Sequence, residues 1–548
     1  MESYQGKGVF GGIAIGRIHV YGKGKLQIKK SSVKGVEAEL MRYRNATLKA
    51  VGQLQKLYEK ACREMGETDA SIFEMHQMLL QDGGYCRAIE TMISSQEVTA
   101  EYAVQEISDQ YIQMFSAMND DYMKERAADL RDIRERLCDI LLGKEYAHPE
   151  SEEPVILVAE DLSPSETMQM DKDKILSFVT VRGSLVSHTA ILARTMSIPA
   201  LVGTRFPLDE TIDGKTGIVD GTNGIFYIDP DEKTCKKMRE LLKRETAQKE
   251  LLLALKGKKN ITLDGQKIAL CANIGNITDL TSVYQNDADG IGLFRSEFIY
   301  LGKEDYPTEE EQFQIYKTAV EAMEGKRVVI RTLDIGADKQ CGYFQMEQEE
   351  NPAMGCRAIR ICLTRPEVFR TQLRALFRAS AYGRLAIMYP MITSVKEIRR
   401  IREIAAQAKE ELMERGERFG EPEQGITIET PAAALISDLL AREVDFFSIG
   451  TNDLTQYTLA IDRQNTALDE FYDPYHPAVM RMISMVTENA HRAGIRVSIC
   501  GELGADLSLT KEFLALGIDE LSVSPGKILP IRRVVLETNV AEYRSGKE

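Results

Sequence analysis

VVIRTLDIG (328–336) is a short apolar run rich in β-branched residues that carries Arg331 and Asp334 near its end and stops at a glycine. That build reads as a buried strand whose C-terminal end bears charge. Seven other runs share it: IALCANI (268–274), GIGLFRSEF (290–298), LAIMYPM (385–391), GITIET (425–430), DFFSIGTND (445–453), RVSICGE (496–502) and ELSVSP (520–525), with helical patterns between them. Eight strands alternating with helices predict a (β/α)8 TIM-type barrel, although the count alone also fits an open α/β sheet. Most runs close on polar residues: Asn273, Arg295 and Glu297, Arg331 and Asp334, Glu429, Asn452 and Asp453, Cys500 and Glu502. In a barrel of this type that edge carries the chemistry.

Upstream the texture differs. GVFGGIAIGRIHV (8–20) reads as a β-hairpin, and four stretches between about 34 and 143 carry apolar residues at helical spacing. They predict a four-helix bundle-like insert. Strand-like runs return at 154–162, 174–183, 199–204 and 216–228, which with the N-terminal hairpin predict an α/β unit. Residues 231–256 are a charged helical stretch with a thin apolar stripe, expected to be a solvated connector.

The chain has 548 residues, 43% hydrophobic and 28% charged, which is the balance of a globular protein long enough for several domains. A net charge of −15 argues against binding nucleic acid; it fits a basic partner as well as an ordinary acidic surface. The nine cysteines include no Cys-x-x-Cys pair, so neither a disulfide framework nor a structural zinc site is expected. MESYQGKGVFGGIAIG is no signal peptide, and no apolar run approaches membrane-spanning length, so a cytoplasmic location is expected.

Three groups of residues have the chemistry to act. His188 precedes an apolar helical pattern, beside free backbone N–H groups that would cradle a phosphate; the bland alternative is a polar residue that merely starts a helix. Arg295, Arg331, Arg357, Arg360 and Arg463 fall on or after strand ends with Lys339, and a cluster of cations at one mouth calls for an anion. Glu429 and Asp453 would hold a divalent cation against that anion, or simply balance the arginines. Cys500 is either an inert core thiol or an acid–base group.

SHTAILAR (187–194) resembles the phosphohistidine motif of phosphoenolpyruvate-using enzymes. DGIGLFRSEF, VIRTLDIGADK, NPAMGCRAIR, IMYPMI, IETPAAA, FFSIGTNDLTQYTLAIDR and CGEL resemble, in order, the barrel of the enzyme I family of the bacterial sugar phosphotransferase system. FEMHQMLLQD and YMKERAADLRDI resemble that family's helical insert, so the likeness runs from about residue 5 to 540. It implies an α/β phosphohistidine domain at 1–22 and 145–230, a helical HPr-binding subdomain at 23–144, a linker at 231–256 and a phosphoenolpyruvate-binding, dimerising barrel at 257–548.

It implies roles as well. His188 would take the phosphoryl group from phosphoenolpyruvate and pass it to the phosphocarrier protein HPr, with Cys500 protonating the departing enolate. Arg295, Arg331, Asn452, Asp453 and Arg463 would bind substrate, and Glu429 with Asp453 would bind Mg2+. Thr167, Lys339 and Arg357 would support, while Met78, Leu79, Asp82, Arg126 and Asp129 match the stretches that dock HPr. A homodimer is implied. Where the family reads Gly-Gly-x-Thr-Ser-His-Thr, this chain has Ser184 and Val186 in place of the second glycine and the first threonine, which puts the local geometry around His188 in question. Relatives that carry a large nucleotide-binding domain are excluded by length.

Overall fold

The computed structural model describes residues 2–21, 28–33, 35–65, 67–116, 121–143, 153–171, 174–183, 188–196, 198–301, 303, 305–336, 342–346 and 349–546. The chain divides into two compact units, 1–248 and 249–548.

Unit 1 holds an eight-stranded sheet: β1 (Glu2–Gln5), β2 (Lys7–Phe10), β3 (Ile13–Tyr21), β4 (Val155–Ala159), β5 (Ile175–Thr180), β6 (Ala200–Val202), β7 (Thr216–Asp220) and β8 (Ile225–Ile228). Their spatial order is β1-β8-β7-β3-β4-β5-β6-β2. The expected 8–20 hairpin is therefore not formed. β2 pairs with β6, whereas β3 pairs with β4 and β7 in the middle of the sheet. Alternation of apolar residues sets which face of a strand is buried, and says nothing of its neighbour. β1 and β2, one residue apart in sequence, form opposite edges of the sheet. A single linking residue spans only about 7 Å between its flanking Cα atoms, so the sheet curls until its two edges almost meet.

Between β3 and β4 the described residues form five helices: α1 (Val36–Met65), α2 (Glu67–Leu80), α3 (Gly83–Gln96), α4 (Ala100–Ser116) and α5 (Asp121–Leu141). α1 packs on α2 and α5, and α4 on α3 and α5, around buried Leu54, Ile89, Ile93, Val104 and Leu137. The second of the four expected helices is broken in two at Asp82. This residue is extended and its carboxylate accepts from the Gly84 and Tyr85 N–H groups at 3.0 and 2.8 Å, so it caps a fresh helix.

Two short helices follow within the sheet connections, α6 (Pro164–Gln169) and α7 (His188–Met196). The α7 face formed by Leu192 and Ala193 packs on Leu157 and Phe178 of the sheet. The charged stretch forms α8 (Glu232–Leu253), and its thin stripe is not left to solvent: Cys235, Met238, Leu241 and Leu242 pack with Ile13 and Ile218.

In unit 2 all eight apolar runs become parallel strands of one closed barrel: β9 (Ala269–Ile274), β10 (Ile291–Arg295), β11 (Val328–Arg331), β12 (Leu385–Tyr389), β13 (Glu423–Ile428), β14 (Phe446–Ile449), β15 (Arg496–Ile499) and β16 (Glu520–Val523). β16 pairs with β9 and shuts the ring, which removes the open-sheet alternative. Leu293, Val329, Ala386, Met388, Phe446 and Cys500 form a buried cluster of their own, apart from the larger apolar core of unit 2.

Candidate active site

Register brings the arginines together. Arg295 and Arg331 are direct cross-strand partners at the C-terminal ends of β10 and β11. Arg331 donates to Glu297 Oε1 at 2.7 Å and pairs with Asp334 Oδ2 at 2.8 Å. Asp334 Oδ1 accepts from Arg357 at 3.1 Å, and Arg357 in turn donates to Asp453 Oδ1 at 3.3 Å and to the Tyr457 hydroxyl at 3.1 Å. Glu297, Arg331, Asp334, Arg357 and Asp453 thus alternate in charge along one buried ladder. Alternation is what makes this burial tolerable, because each charge is offset by its neighbours. The arginines are therefore balanced within the protein to a greater degree than expected. Even so, the Nε atoms of Arg331 and Arg357 are buried with no hydrogen-bond partner among the described residues, leaving donors for an incoming acceptor.

Glu429 follows β13 and is fully buried, its Oε1 accepting from the Met391 N–H at 2.5 Å. Burial, then the Asp453 and Asp334 carboxylates, push its carboxyl up to about 8 against the pull of Arg331 and Arg357. Gly450 makes room for it, since a Cβ there would stand 2.8 Å from Glu429 Oε2. The helix Thr451–Leu459 starts immediately after, with Asn452 and Asp453 in its first turn. Asn452 Oδ1 accepts from the Glu502 N–H at 3.0 Å, tying that turn to the one after β15.

Cys500 follows β15, buried, with its thiol directed to the Ile449 carbonyl at 3.7 Å. Asn273 donates to the Cys500 carbonyl at 3.1 Å and accepts from Ser522 at 2.5 Å. Burial pushes the thiol up to about 11, opposed by the Ser448 hydroxyl and by Arg331 and Arg295. A cavity of about 370 Å³ opens here, lined among others by Asn273, Arg295, Asn452, Cys500 and Glu502.

The other expected residues take no part in this ladder. Arg360 braces a loop by donating to the Met354 and Gly355 carbonyls. Arg463 is exposed, its backbone N–H donating to Gln456. Lys339, Ser184 and Val186 lie outside the described residues, as do the side chains of His188 and Arg126. His188 is the first residue of α7, and the buried Thr189 hydroxyl beside it has no hydrogen-bond partner among the described residues. Thr167 is buried in α6, which packs against α7, and its hydroxyl donates to the Pro164 carbonyl at 2.9 Å. Met78 is 72% exposed, Leu79 is half-buried, Asp82 caps α3, and Asp129 is buried 3.1 Å from His76 Nε2. Glu297, Asp334 and Asn273 are strand-end residues to which the sequence assigned no role; the acids two and three positions after Arg295 and Arg331 were the available signal.

Residues 249–540 match the PEP-binding domain of PEP-utilising enzymes, 5–126 the N-terminal domain and 151–224 the mobile domain. The chain is 43% identical over its whole length to the phosphoenolpyruvate-protein phosphotransferase of Bacillus subtilis (strain 168), covering 96% of that protein. It belongs to the phosphoenolpyruvate–protein phosphotransferase family. The Staphylococcus carnosus (strain TM300) member is 40% identical over 98% of this chain and 94% of its own. A solution structure titled as Enzyme I is 38% identical over 44% of this chain, with a TM-score of 0.38. Membership in this phosphotransferase family bears out the resemblance read from the motifs, the enzyme class and the barrel. Among the described residues no helix is long and apolar enough to cross a membrane.

Proposed function

We propose that His188 accepts the phosphoryl group of phosphoenolpyruvate at the barrel mouth and passes it to a histidine of HPr, the first step of the sugar phosphotransferase system. An imidazole nitrogen of His188 attacks phosphorus, the bond from phosphorus to the enol oxygen breaks, and the enolate leaves. Cys500 gives its proton to the enolate methylene carbon, completing pyruvate. The N–P bond then breaks in a second in-line transfer to the carrier. Phosphoryl transfer spreads charge over the equatorial oxygens, so fixed guanidiniums do most of the work. Arg295 and Arg331 clamp the phosphoryl group, while Asn452 and Arg463 hold the remainder of the substrate. Arg357 and Thr167 hold their neighbours in place. The observation that carries this reading is the in-register pair Arg295 and Arg331 beside a Cys500 thiol held protonated by burial.

Glu429 and Asp453 suit a divalent cation, Mg2+ in our reading, because the Asp453 carboxylate raises the electrostatic cost of ionising buried Glu429, a crowding that a cation relieves. Among the described residues no three metal-ligating side chains are gathered in advance, so substrate oxygens and water would complete the shell. The cation would offset phosphate charge. Residues 1–22 with 145–230 would form the phosphohistidine domain, 23–144 the HPr-binding subdomain with Met78, Leu79, Asp82 and Arg126 in or near the docking area, 231–256 the linker and 257–548 the barrel. We further read the enzyme as a cytoplasmic homodimer.

The test mixes the protein with labelled phosphoenolpyruvate, Mg2+ and HPr. Mass spectrometry under alkaline conditions is expected to find the adduct on His188 and on HPr. His188→Ala should abolish labelling while calorimetry still registers phosphoenolpyruvate binding. An adduct at any other residue would overturn the reading.

A further inference from the structure

His76 has no part in the chemistry above, yet it is completely buried in the helical insert, with its ring 6.2 Å from Phe73 in edge contact. Its two ring nitrogens face two carboxylates placed one turn apart on α5: Nε2 is hydrogen-bonded to Asp129 Oδ1 at 3.1 Å, and Nδ1 stands 3.7 Å from Asp132 Oδ2, close but beyond hydrogen-bond reach. Asp132 also reaches out of the insert, because its Oδ2 accepts from the Ser165 N–H at 3.3 Å. Ser165 is fully buried in the first turn of α6, a helix stapled by the reciprocal Ser163–Glu166 capping box. α6 packs on α7, the helix that opens with His188. A buried polar chain of this kind is costly unless its geometry is kept, so it tends to enforce one arrangement of the elements it joins.

We propose that His76 is a positioning residue: through Asp129 and Asp132 of α5 it ties α2, two residues from exposed Met78, to α6, and so sets where α7 presents His188 to the carrier protein. The inference rests on the function proposed above. Docking of a carrier on the α2 face would press on the helix that carries His76. The position of that helix passes to α5 through the His76–Asp129 hydrogen bond, and Asp132, one turn further along α5, passes it to α6 through one backbone hydrogen bond; α6 in turn supports α7. Transfer to the carrier therefore depends on this chain more than transfer from phosphoenolpyruvate does, since a small molecule brings no protein surface to press on the α2 face.

The experiment measures the two half-reactions separately on the full-length enzyme: self-phosphorylation from labelled phosphoenolpyruvate with Mg2+, and discharge of the phosphorylated enzyme to HPr. His76→Ala is expected to slow discharge at saturating HPr by about tenfold or more, with KM for HPr and the rate of self-phosphorylation changed by less than about threefold. His76→Gln, which keeps a side-chain donor and acceptor, should recover most of that loss. Asp132→Ala should reproduce the His76→Ala defect, whereas Asp132→Asn, which retains an acceptor for Ser165, should be milder. A thermal melt of each variant identifies any that has merely unfolded, and the His76→Gln and Asp132→Asn pair then decides the question. Equal slowing of both half-reactions, a change in KM alone, or no difference between the Ala and conservative variants would overturn the proposal. If the wild-type enzyme itself is not labelled on His188, the proposed function has failed and not this inference.

Discussion

At the scale of single residues, the mouth of the barrel is governed by burial acting on groups of opposite duty. Arg331 and Arg357 stay charged because Glu297, Asp334 and Asp453 surround them. Cys500 stays protonated because desolvation, with help from the Glu429 carboxylate, outweighs the downward pull of the Ser448 hydroxyl, Arg331 and Arg295. A thiol that ionises only near pH 11 is a proton reservoir at neutral pH and a poor nucleophile. Iodoacetamide should therefore modify Cys500 very slowly at pH 7 and progressively faster as pH climbs toward that value. The half-buried Cys62 and Cys356 supply internal references. The time course is read by peptide mass spectrometry, and rapid labelling of Cys500 at pH 7 would contradict the assignment. Legibility at this scale was uneven. Arg295, Arg331, Glu429, Asp453 and Cys500 stood out because a charged or thiol residue closing an apolar run is unusual. The ladder itself was not legible, because the partners Glu297 and Asp334 look like ordinary polar ends until register places them.

At the scale of elements, the eight barrel strands were readable because a strand covered on both faces is near-continuously apolar, as in LAIMY, in FFSI with its one serine, and in VVIR up to its terminal arginine. Pairing was less readable, which is why the 8–20 segment misled: β2 and β3 follow one another and yet belong to different parts of the sheet. The break at Asp82 was written plainly in Asp-Gly-Gly and was overrun by the apolar periodicity on either side. The turn after β15 shows how tightly elements dictate chemistry. A Cβ on Gly501 would lie 2.0 Å from Thr451 Oγ1 and 2.6 Å from the Thr451 backbone nitrogen. Gly501→Ala must then displace either Cys500 or the helix that carries Asn452 and Asp453. A shift of about 1 Å in such a site costs on the order of a hundredfold in rate. Steady-state pyruvate release with HPr present should show kcat falling by about that factor while the melting temperature moves little, and an unimpaired kcat would mean that the turn does not set the site.

At the scale of the whole molecule, the proposed nucleophile and the guanidinium pair belong to different compact units, 1–248 and 249–548. A histidine that serves both a barrel and a separate carrier has to change company, so the units should rearrange during turnover. Small-angle scattering of the His188→Ala enzyme is expected to differ with and without phosphoenolpyruvate and Mg2+; superimposable curves would count against that motion. The curled sheet of unit 1 has its own consequence. Residues 2–10 cap β8 on one side and β6 on the other. Trimming that short ribbon would bare two ladders of unsatisfied amides and carbonyls at a stroke, converting a self-contained sheet into one able to recruit foreign strands from either flank. Residues 2–10 thus act as a seam, and the integrity of the unit 1 sheet is only as good as its stitching.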